Sequence, residues 1–430
     1  MKEWSKDKIG NYAKSTPGYA FDSGVFKAEG VPVIKISNIK NGYIDLDDDS
    51  TQYVEEHFLK SLDKKYEISS GDILVSLTGS HLTQPNSVVG RVGRYRRKDR
   101  ALLNQRAAKI EAIKSKCNNS FLYYLLSTNT LRKEIALLAH GAANQANVSH
   151  KDIEKIKVFF PKREIQEKIA AILSSYDDLI EISNRRIVIL EKMAEEIYRE
   201  WFVRLRFPGH EKVKIVKGVP EGWEVKQIVQ IYRTSSGGTP SREKPEYYGG
   251  NIPWVKTGEL KNAFLIKTEE QITETALENS SAKIFPRHTI ILAMYCAMGE
   301  LSILSLDAST NQACCAFLPK YDYLSYPFSY HLIRSVRQSL LNLSFGAAQQ
   351  NLSQEIIKKF KVLIPREELI NKFTEVVLPV FKTIENLYIQ NDRFKISRDR
   401  LLSRLMSGKI DVGNMNIQFP ASMKEELVHA

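Results

Sequence analysis

Apolar side chains recur three and four residues apart along two long stretches of this chain. The first stretch runs from Glu164 to Phe202, and its apolar stripe consists of Ile165, Ile169, Ile172, Tyr176, Leu179, Ile187, Leu190, Met193 and Ile197. This spacing is typical of a helix that buries one face against a partner helix. Neither Gly nor Pro interrupts it. At about 1.5 Å per residue such a helix would be roughly 60 Å long, which predicts a spacer between domains.

The second stretch begins at Glu367 and lies near the C-terminus. Its stripe consists of Leu369, Phe373, Val376, Val380, Ile384, Leu387, Phe394, Leu401 and Leu405. Pro379 lies inside it, and because proline removes a backbone hydrogen bond we expect a kink or two segments meeting there. Asn391 falls on the stripe. Such a polar residue either fixes the register between paired helices or faces solvent.

Each long helix follows a similar lead-in, which indicates an internal repeat. Residues 147–161 match residues 351–365 at seven of fifteen positions, and the loops Gly141–Gln145 and Gly346–Gln350 precede them. Upstream the similarity weakens: Val31–Lys35 corresponds to Ile252–Lys256, Asp72–Ser76 to Thr289–Ala293, Asn104–Gln105 to Asn311–Gln312, and Trp4 to Trp223. The chain is therefore predicted to contain two tandem units that share a frame and differ in their globular parts.

The globular parts read as mixed α and β structure. In the first we predict strands at Val31–Ile36 and Ile73–Leu77, a helix at Phe121–Leu138, and a short helix capped by Asn147–Ser149. In the second we predict strands near Pro253 and Ile290 and a helix at Tyr330–Leu343. The predicted division is a first globular domain at 1–163, a spacer helix at 164–206, a second domain at 207–366 with a linker at 207–219, a second spacer helix at 367–412, and a tail at 413–430.

Composition favours a basic protein that lies in the cytoplasm. The net charge is +12, and residues 91–116 hold ten basic side chains against two acidic ones. This segment is either a solvated basic face or a nucleic-acid contact, and the interleaved Tyr95 and glycines favour the second. The longest apolar run, Thr289 to Met298, is too short to span a membrane. The four cysteines form no CxxC pair, so we expect reduced, mostly buried thiols and no metal site.

Four motifs, together with their order and spacing along the chain, resemble those of the specificity subunit of type I restriction-modification enzymes. They are EWFVRLRFPG at 200–209, PEGWEV at 220–225, the twin Gly-Ala-Ala loops, and RDRLLSRLMSGKIDV at 398–412. The resemblance covers essentially the whole chain. It implies an α+β fold with two target recognition domains, each reading half of a split double-stranded DNA sequence. It also implies that the two long helices pair as an antiparallel coiled coil, set the gap between half-sites and bind two methyltransferase subunits.

The residues themselves give no sign of catalysis. No Asn-Pro or Asp-Pro dipeptide occurs, although an amino-methyltransferase needs an Asn/Asp-Pro-Pro-aromatic motif, and no GxxxxGK[ST] loop for an ATPase is present. We therefore expect a non-catalytic chain that binds no cofactor. The resemblance implies that partner methyltransferase and restriction/translocase subunits supply S-adenosylmethionine, ATP and Mg. Two alternatives are a self-sufficient methyltransferase or nuclease, and a coiled-coil scaffold that does not bind DNA.

Candidate DNA-contacting residues are basic, amide and hydroxyl side chains near predicted strand ends. Arg and Lys suit guanine edges or phosphates, and Asn and Gln suit adenine edges. The candidates are Lys35, Ser80, His81, Arg91, Arg94, Arg96, Asn104, Gln105, Arg106 and Gln145 in the first unit, and Lys256, Tyr295, Ser309, Thr310, Asn311, Gln312 and Gln350 in the second. The amides that recur in both halves favour a scaffold or backbone-contact role over base reading.

Overall fold

The computed structural model describes residues 4–47, 50–80, 87–140, 146–345 and 351–423. The chain forms two compact units. Unit 1 consists of Met1–Ile180 together with Phe394–Ala430, and unit 2 consists of Glu181–Arg393. Each long helix therefore contributes one part to each unit.

The first part of the chain contains thirteen short strands and five helices among the described residues. The strands are β1 Ser5–Lys8, β2 Ala13–Pro17, β3 Val31–Ile34, β4 Gly42–Tyr43, β5 Gln52–Val54, β6 Glu67–Ile68, β7 Ile73–Ser76, β8 Thr78–Gly79, β9 Val92–Arg94, β10 Ala101–Leu103, β11 Ala107–Ala112, β12 Ala146–Asn147 and β13 Lys157–Phe160. The helices are α1 His57–Ser61, α2 Asn119–Leu126, α3 Asn129–Leu137, α4 His150–Lys155 and α5 Arg163–Tyr198.

The second part repeats this inventory. The strands are β14 Ile215–Val216, β15 Val219–Pro220, β16 Glu224–Gln227, β17 Tyr232–Ser236, β18 Tyr248–Val255, β19 Phe264–Leu265, β20 Glu270–Ile272, β21 Ile284–Phe285, β22 Ile290–Ala293, β23 Leu301–Leu304, β24 Ala308–Thr310, β25 Cys314–Pro319 and β26 Lys361–Ile364. The helices are α6 Ile228–Ile231, α7 Glu274–Glu278, α8 Tyr326–Phe345, α9 Gln354–Lys359 and α10 Glu367–Met406.

The sheet topology confirms the internal repeat. Each unit has a five-stranded sheet, ordered β2-β11-β7-β9-β4 in unit 1 and β17-β25-β22-β23-β19 in unit 2. Each also has a four-stranded sheet, ordered β5-β3-β10-β6 and β20-β18-β24-β21 respectively. The parallel pairs recur as well, since β3–β10 and β4–β9 in unit 1 match β18–β24 and β19–β23 in unit 2. The fold is therefore α+β with mixed sheets.

The core of each unit joins its sheet to a pair of long helices. In unit 1, Val75 of β7 and Phe121 of α2 belong to one apolar cluster with Ile169 and Leu173 of α5 and Leu405 of α10. Lys168 of α5 also donates to the carbonyl oxygen of Gly413 at 2.7 Å. Burial of an aliphatic side chain contributes about 1.5–3 kcal/mol. The buried positions of the apolar stripes are therefore part of the core of this unit, whereas three residues predicted to lie on the stripes, Leu179, Met193 and Val376, are exposed.

Unit 2 uses the other parts of the same two helices. Its main cluster contains Ala194 of α5, Phe373 and Leu387 of α10, Phe328 of α8 and Ile290 of β22. Within each unit the two helices run antiparallel, because contacts move back along one helix as they move forward along the other. In unit 2 Asn184 contacts Asn391 and Glu191 contacts Tyr388. In unit 1 Lys168 contacts Gly413, beyond the end of α10, and Tyr176 contacts Phe394. The predicted antiparallel pairing is confirmed.

The predicted long helices are confirmed with small changes at their ends. Helix α5 begins at Arg163 and passes at Tyr198 into one wider turn, Arg199–Val203. Helix α10 continues through Pro379 as one element, so the expectation of two segments meeting there is wrong. Buried Val377 and Phe381 flank the proline. Burial of such side chains contributes about 1.5–3 kcal/mol each, which is comparable with the roughly 3 kcal/mol that a proline costs inside a helix.

The structure decides between the two roles predicted for Asn391, which lies in unit 2. Its side chain is buried, and its Nδ2 donates to Oδ1 of Asn184 on α5 at 2.8 Å. It therefore links the two helices and does not face solvent. A buried amide pair at one level of two helices favours one register over its neighbours.

One predicted helix is wrong in its extent. The pattern from Phe121 to Leu138 predicts one helix, but the structure has α2 and α3 separated at Ser127 and Thr128. Thr128 begins a new helix because its hydroxyl accepts from the backbone N–H of Leu131 at 3.3 Å, which is N-capping geometry. The other predicted local elements are confirmed, including the short helix α4, whose cap is Ser149.

The burial predicted for the cysteines is found for three of the four. All four are free thiols, with Cys117, Cys314 and Cys315 buried and Cys296 exposed. Within the described ranges no group of histidine, cysteine and carboxylate side chains is arranged to hold a metal ion. None of the helices described is both long enough and apolar enough to cross a membrane.

Candidate nucleic-acid interface

Three neighbouring strands of the unit 1 sheet end at the same edge, and candidate residues follow or precede each of them. Leu77, just after β7, donates its N–H to the carbonyl of Arg106, just before β11, at 2.9 Å. Ser76, the last residue of β7, donates its N–H to the carbonyl of Arg91, just before β9, at 3.0 Å. Neighbouring strands lie about 4.8 Å apart. Arg91 and Arg106 therefore lie two strands apart at one end of the sheet.

The second sheet of unit 1 adds two more candidates at this place. Asn104 donates its N–H to the carbonyl of Ile34 at 3.0 Å, and Lys35 is the next residue after that strand. Gln105 donates its N–H to the carbonyl of Tyr19 at 3.0 Å. A Cβ on Gly18 would lie 2.3 Å from the carbonyl oxygen of Asn104. Only glycine allows this close approach of the backbone to the turn.

We call Lys35, Ser80, Arg91, Asn104, Gln105 and Arg106 the sheet end of unit 1. Ser80 belongs to it because it follows β8, whose Thr78 and Gly79 pair with Asn147 and Ala146 of β12. Six of the predicted residues, which are up to 71 positions apart in sequence, are thus brought to one edge of the fold.

Unit 2 builds the same edge with the same backbone hydrogen bonds. Met294 donates its N–H to the carbonyl of Ala313 at 2.8 Å, and Ala293 donates to the carbonyl of Glu300 at 2.8 Å. Asn311 donates its N–H to the carbonyl of Val255 at 2.9 Å. We call Lys256, Tyr295, Glu300, Asn311, Gln312 and Ala313 the sheet end of unit 2. Predicted candidates Lys256, Tyr295, Asn311 and Gln312 lie there, whereas Glu300 and Ala313 were not predicted.

The recurring asparagines have the same local task in both units. Oδ1 of Asn104 accepts the N–H of Arg106 at 3.3 Å, and Oδ1 of Asn311 accepts the N–H of Ala313 at 3.2 Å. An asparagine that accepts from the backbone two residues on stabilises a tight turn. These side chains are therefore used to shape the turn, which agrees with the scaffold alternative for the repeated amides.

Two predicted arginines lie away from this edge. Arg94 is buried, its Nη1 donates to Oγ of Ser120 at 3.0 Å, and burial lowers the pKa of its guanidinium. Arg96 donates to Asp177 of α5 at 2.8 Å. Both side chains hold unit 1 together internally. As DNA-contacting residues they remain untested predictions, and their positions favour a structural role.

Of the remaining candidates, two are buried hydroxyl residues and three lie outside the residues that the structure describes. Ser309 and Thr310 of β24 are fully buried, directly before the sheet end of unit 2. His81, Gln145 and Gln350 lie outside the residues that the structure describes. Their predicted roles therefore remain predictions.

Cations at the sheet end of unit 1 lie close to one another. Nζ of Lys35 lies 4.1 Å from the ring centroid of Phe26 and donates to the side chain of Gln52. Burial lowers the pKa of Lys35, and the charge of Arg106 lowers it further. In the described part of the chain, no carboxylate forms an ion pair with Lys35 or Arg106. The edge therefore offers unneutralised positive charge to an anionic ligand.

Sequence reasoning missed a further cation beside this edge. Arg132 of α3 donates to the carbonyl of Ser87 at 3.1 Å and to Oδ1 of Asn41 at 3.4 Å. Burial lowers the pKa of Arg132, and the charge of Arg91 lowers it as well. Only the tertiary fold brings these two arginines together, because they are 41 positions apart in sequence.

Comparisons with known proteins agree with this architecture. The family model described as the type I restriction modification DNA specificity domain matches residues 1–192 and again 220–385. The MjaIX specificity subunit of Methanocaldococcus jannaschii is 27% identical over 314 residues, which cover 68% of this chain and 69% of that protein. The HindI specificity subunit of Haemophilus influenzae is 26% identical over 356 residues, covering 67% of this chain and 77% of that protein.

A solved structure has a similar fold. The S subunit of the type I restriction-modification system from M. genitalium superposes with a TM-score of 0.56 at 18% identity, covering 94% of this chain and 96% of that one. The family model covers most of the chain, once in each half of the repeat. This protein therefore belongs to the family of type I restriction-modification DNA specificity subunits.

Proposed function

We propose that this chain is the DNA specificity subunit of a type I restriction-modification complex and that each unit reads one half of a bipartite target. The proposal is supported by the repeat. The family model matches both halves of the chain, and both halves form the same sheet end through the same backbone hydrogen bonds. Two copies of one frame with different side chains are what two readers of different half-sites require.

Base reading is assigned to the sheet-end residues that differ between the units. The candidates are Ser80 in unit 1 and Tyr295 in unit 2. Hydroxyl groups can donate to and accept from the edges of bases. Because Asn104 and Asn311 are occupied by their turns, they hold the frame and leave the reading to their neighbours.

Catalysis is assigned to partner subunits. Two methyltransferase subunits dock on the paired long helices and bring S-adenosylmethionine, and restriction/translocase subunits of the full complex bring ATP and Mg. This chain contributes recognition and assembly in the cytoplasm. Support comes from the absence of methyltransferase and ATPase motifs in the sequence. The purified chain alone is expected neither to methylate nor to cut DNA, and methylation by contaminant-free protein would contradict this assignment.

Domain exchange tests the proposal directly. Residues 1–163 are replaced by the corresponding domain of a relative, the chimera is expressed with its methyltransferase partners, and methylated sites are mapped by methylation-sensitive sequencing. We expect one half-site to change and the other to stay. A change in both half-sites would mean that the two units are not independent readers.

A gel shift addresses the alternative of a scaffold that does not bind DNA. The methyltransferase complex is titrated with duplex DNA at several salt concentrations. Specific binding that weakens steeply with salt supports a DNA reader. Absence of DNA binding by an assembled complex would favour the scaffold.

A further inference from the structure

The two sheet ends have matching backbones, but their side chains differ in charge. The cations of unit 1 have no acidic partner among the described residues, whereas the charged side chains at the matching positions of unit 2 form ion pairs. Lys35 and Lys256 occupy matching positions, because each follows the strand whose last carbonyl accepts from Asn104 or Asn311. Lys256 is neutralised, since its Nζ lies 3.0 Å from Glu269 and 2.9 Å from Glu270. Lys35 has an amide and an aromatic ring as its partners instead.

The second matching position reverses the charge outright. Arg91 in unit 1 corresponds to Glu300 in unit 2, because their carbonyls accept from the last residues of β7 and β22. Glu300 accepts from Nη2 of Arg337 on α8 at 2.9 Å. Nε of Arg91 is buried without a hydrogen-bond partner among the described residues. The neighbouring helix in unit 1 supplies a second cation, Arg132, so two guanidinium groups lie together where unit 2 has an ion pair.

The third matching position carries charge in unit 1 alone. Arg106 corresponds to Ala313, because their carbonyls accept from Leu77 and Met294, each the first residue after its strand. The side chain of Arg106 is exposed. At all three positions unit 1 therefore presents a cation without an acidic partner in the described structure, and unit 2 presents a neutralised cation, an ion-paired acid or alanine.

Like charges held together are unfavourable unless an anion joins them. Their mutual repulsion favours a ligand that places negative charge between them, and guanidinium groups match phosphate oxygens with two parallel hydrogen bonds. The repeated phosphates of a DNA backbone supply such charge at regular spacing. In unit 2 the carboxylates of Glu269, Glu270 and Glu300 already fill this role, so a phosphate there would meet negative charge.

We propose that Lys35, Arg91, Arg106 and Arg132 form a phosphate-binding site for the DNA backbone in unit 1, that the sheet end of unit 2 has no counterpart, and that unit 1 supplies most of the salt-dependent affinity. This inference rests on the proposed function. It assigns the two readers different physical tasks: unit 1 holds the duplex by charge, and unit 2 contributes mainly short-range contacts.

The salt dependence of DNA binding by the assembled methyltransferase complex tests this site. Binding of two duplexes, one with the target mapped by methylation sequencing and one of equal length without it, is measured between 50 and 200 mM salt. A plot of log K against log salt falls with increasing salt, and each phosphate contact that is lost makes this fall less steep by about 0.9. Arg91→Gln and Arg106→Gln should each make the loss of affinity over this range about 3.5-fold smaller. Both duplexes should be affected alike, because phosphate contacts carry no sequence information.

A matched control lies in the same basic segment. Arg97 is partly exposed and pairs with Asp47 and Asp99. It lies beyond the opposite end of β9, where Arg94 pairs with Ile73. Arg97→Gln should leave the slope unchanged. If Arg97→Gln changed the slope as much as Arg106→Gln does, the proposal would be overturned. The salt dependence would then come from the overall positive charge of the protein and not from a particular site.

A gain-of-charge variant in unit 2 completes the test. Glu300→Gln removes the carboxylate that neutralises Arg337, and we expect a steeper slope by up to about 0.9. If Arg91→Gln and Arg106→Gln bind the target specifically with the parental slope, the phosphate site is wrong and the proposed function stands. If the parental complex does not distinguish its target from the other duplex, the proposed function itself fails.

Discussion

Asp177 connects three elements of unit 1, and its removal gives a sharp test of how the unit is held together. Its carboxylate accepts from Arg96 after β9 at 2.8 Å, from Arg398 of α10 at 2.6 Å and from the hydroxyl of Tyr124 of α2 at 2.8 Å. The Asp177 side chain is only 5% exposed. Asp177→Asn keeps the shape and removes the charge, so Arg96 and Arg398 each lose one buried carboxylate partner.

The expected cost follows from burial. Breaking a fully buried ion pair by removing one partner costs about 3–5 kcal/mol. Here the Arg96 and Arg398 side chains remain 31% and 23% exposed, so water compensates part of the loss. We therefore expect unit 1 to be destabilised by about 2–3 kcal/mol. Asp399→Asn is the matched control, because Asp399 also contacts Arg398 but is 61% exposed. It should cost less than about 1 kcal/mol.

Amide hydrogen exchange measures the stability of each unit separately, whereas a single unfolding curve of a two-unit chain does not. Protection in α2, β7 and the first part of α5 should fall in Asp177→Asn, and protection in β22 and α8 should stay the same. A loss in unit 1 below about 1 kcal/mol, or one no larger than in Asp399→Asn, would refute the reasoning.

The pH dependence provides a second readout of the same network. Burial raises the pKa of Asp177, but Arg96 and Arg398 lower it more, so the pKa in the folded protein lies below its ordinary value. A depressed carboxyl pKa stabilises the fold fully above the unfolded value, about 3.9, and this stabilisation is lost as pH falls through the folded pKa. The difference in stability between the parent and Asp177→Asn should therefore shrink at acid pH.

Three further outcomes are expected. Asn391→Leu should raise the stability of unit 2 by about 1 kcal/mol, because Oδ1 of Asn391 is buried without a partner in the described structure, although its amide link to Asn184 and part of the preference for one helix register would be lost. Weaker amide-exchange protection of α8 and β22 in the variant would contradict this. A thiol reagent should modify Cys296 rapidly and the other three cysteines only on unfolding, since those are buried and burial raises their pKa to about 12; mass spectrometry of the native protein checks this. Four residues inserted near Glu195 add about 6 Å of helix against about 3.4 Å per base pair, so the unread gap should grow by one or two base pairs in a methylation map, and an active complex with the parental gap would show that the helices do not set it.

The helices and the repeat could be predicted from sequence because both are local signals. A 3.6-residue period is visible along α5 and α10 whatever they pack against, and the lead-ins to both helices preserve their residue types. The break between α2 and α3 escaped this reasoning, because the apolar spacing continues through it. A single threonine that prefers to cap a helix decides the break.

Sequence alone did not distinguish which arginines of the basic segment reach the sheet end of unit 1 and which enter the core. Arg91 and Arg94 are three residues apart on an extended strand, so their side chains lie on opposite faces. One reaches the sheet end and the other enters the core. Lys35 and Arg132 join Arg91 and Arg106 only through pairings between distant strands and a helix. No local pattern carries that information.

The recurring asparagines show why similar residues in two readers are poor candidates for reading different sequences. A side chain whose acceptor is used by its own turn, as in Asn104 and Asn311, cannot offer that acceptor to a base without opening the turn. Selection for a new half-site must therefore act on side chains outside the turn, such as Ser80 in unit 1 and Tyr295 in unit 2. The frame can then stay constant while specificity changes. Exchange of whole domains between relatives should preserve folding where the relative keeps the apolar contacts to α5 and α10 and the side-chain hydrogen bonds to Asp177, because these contacts join the exchanged domain to the helices.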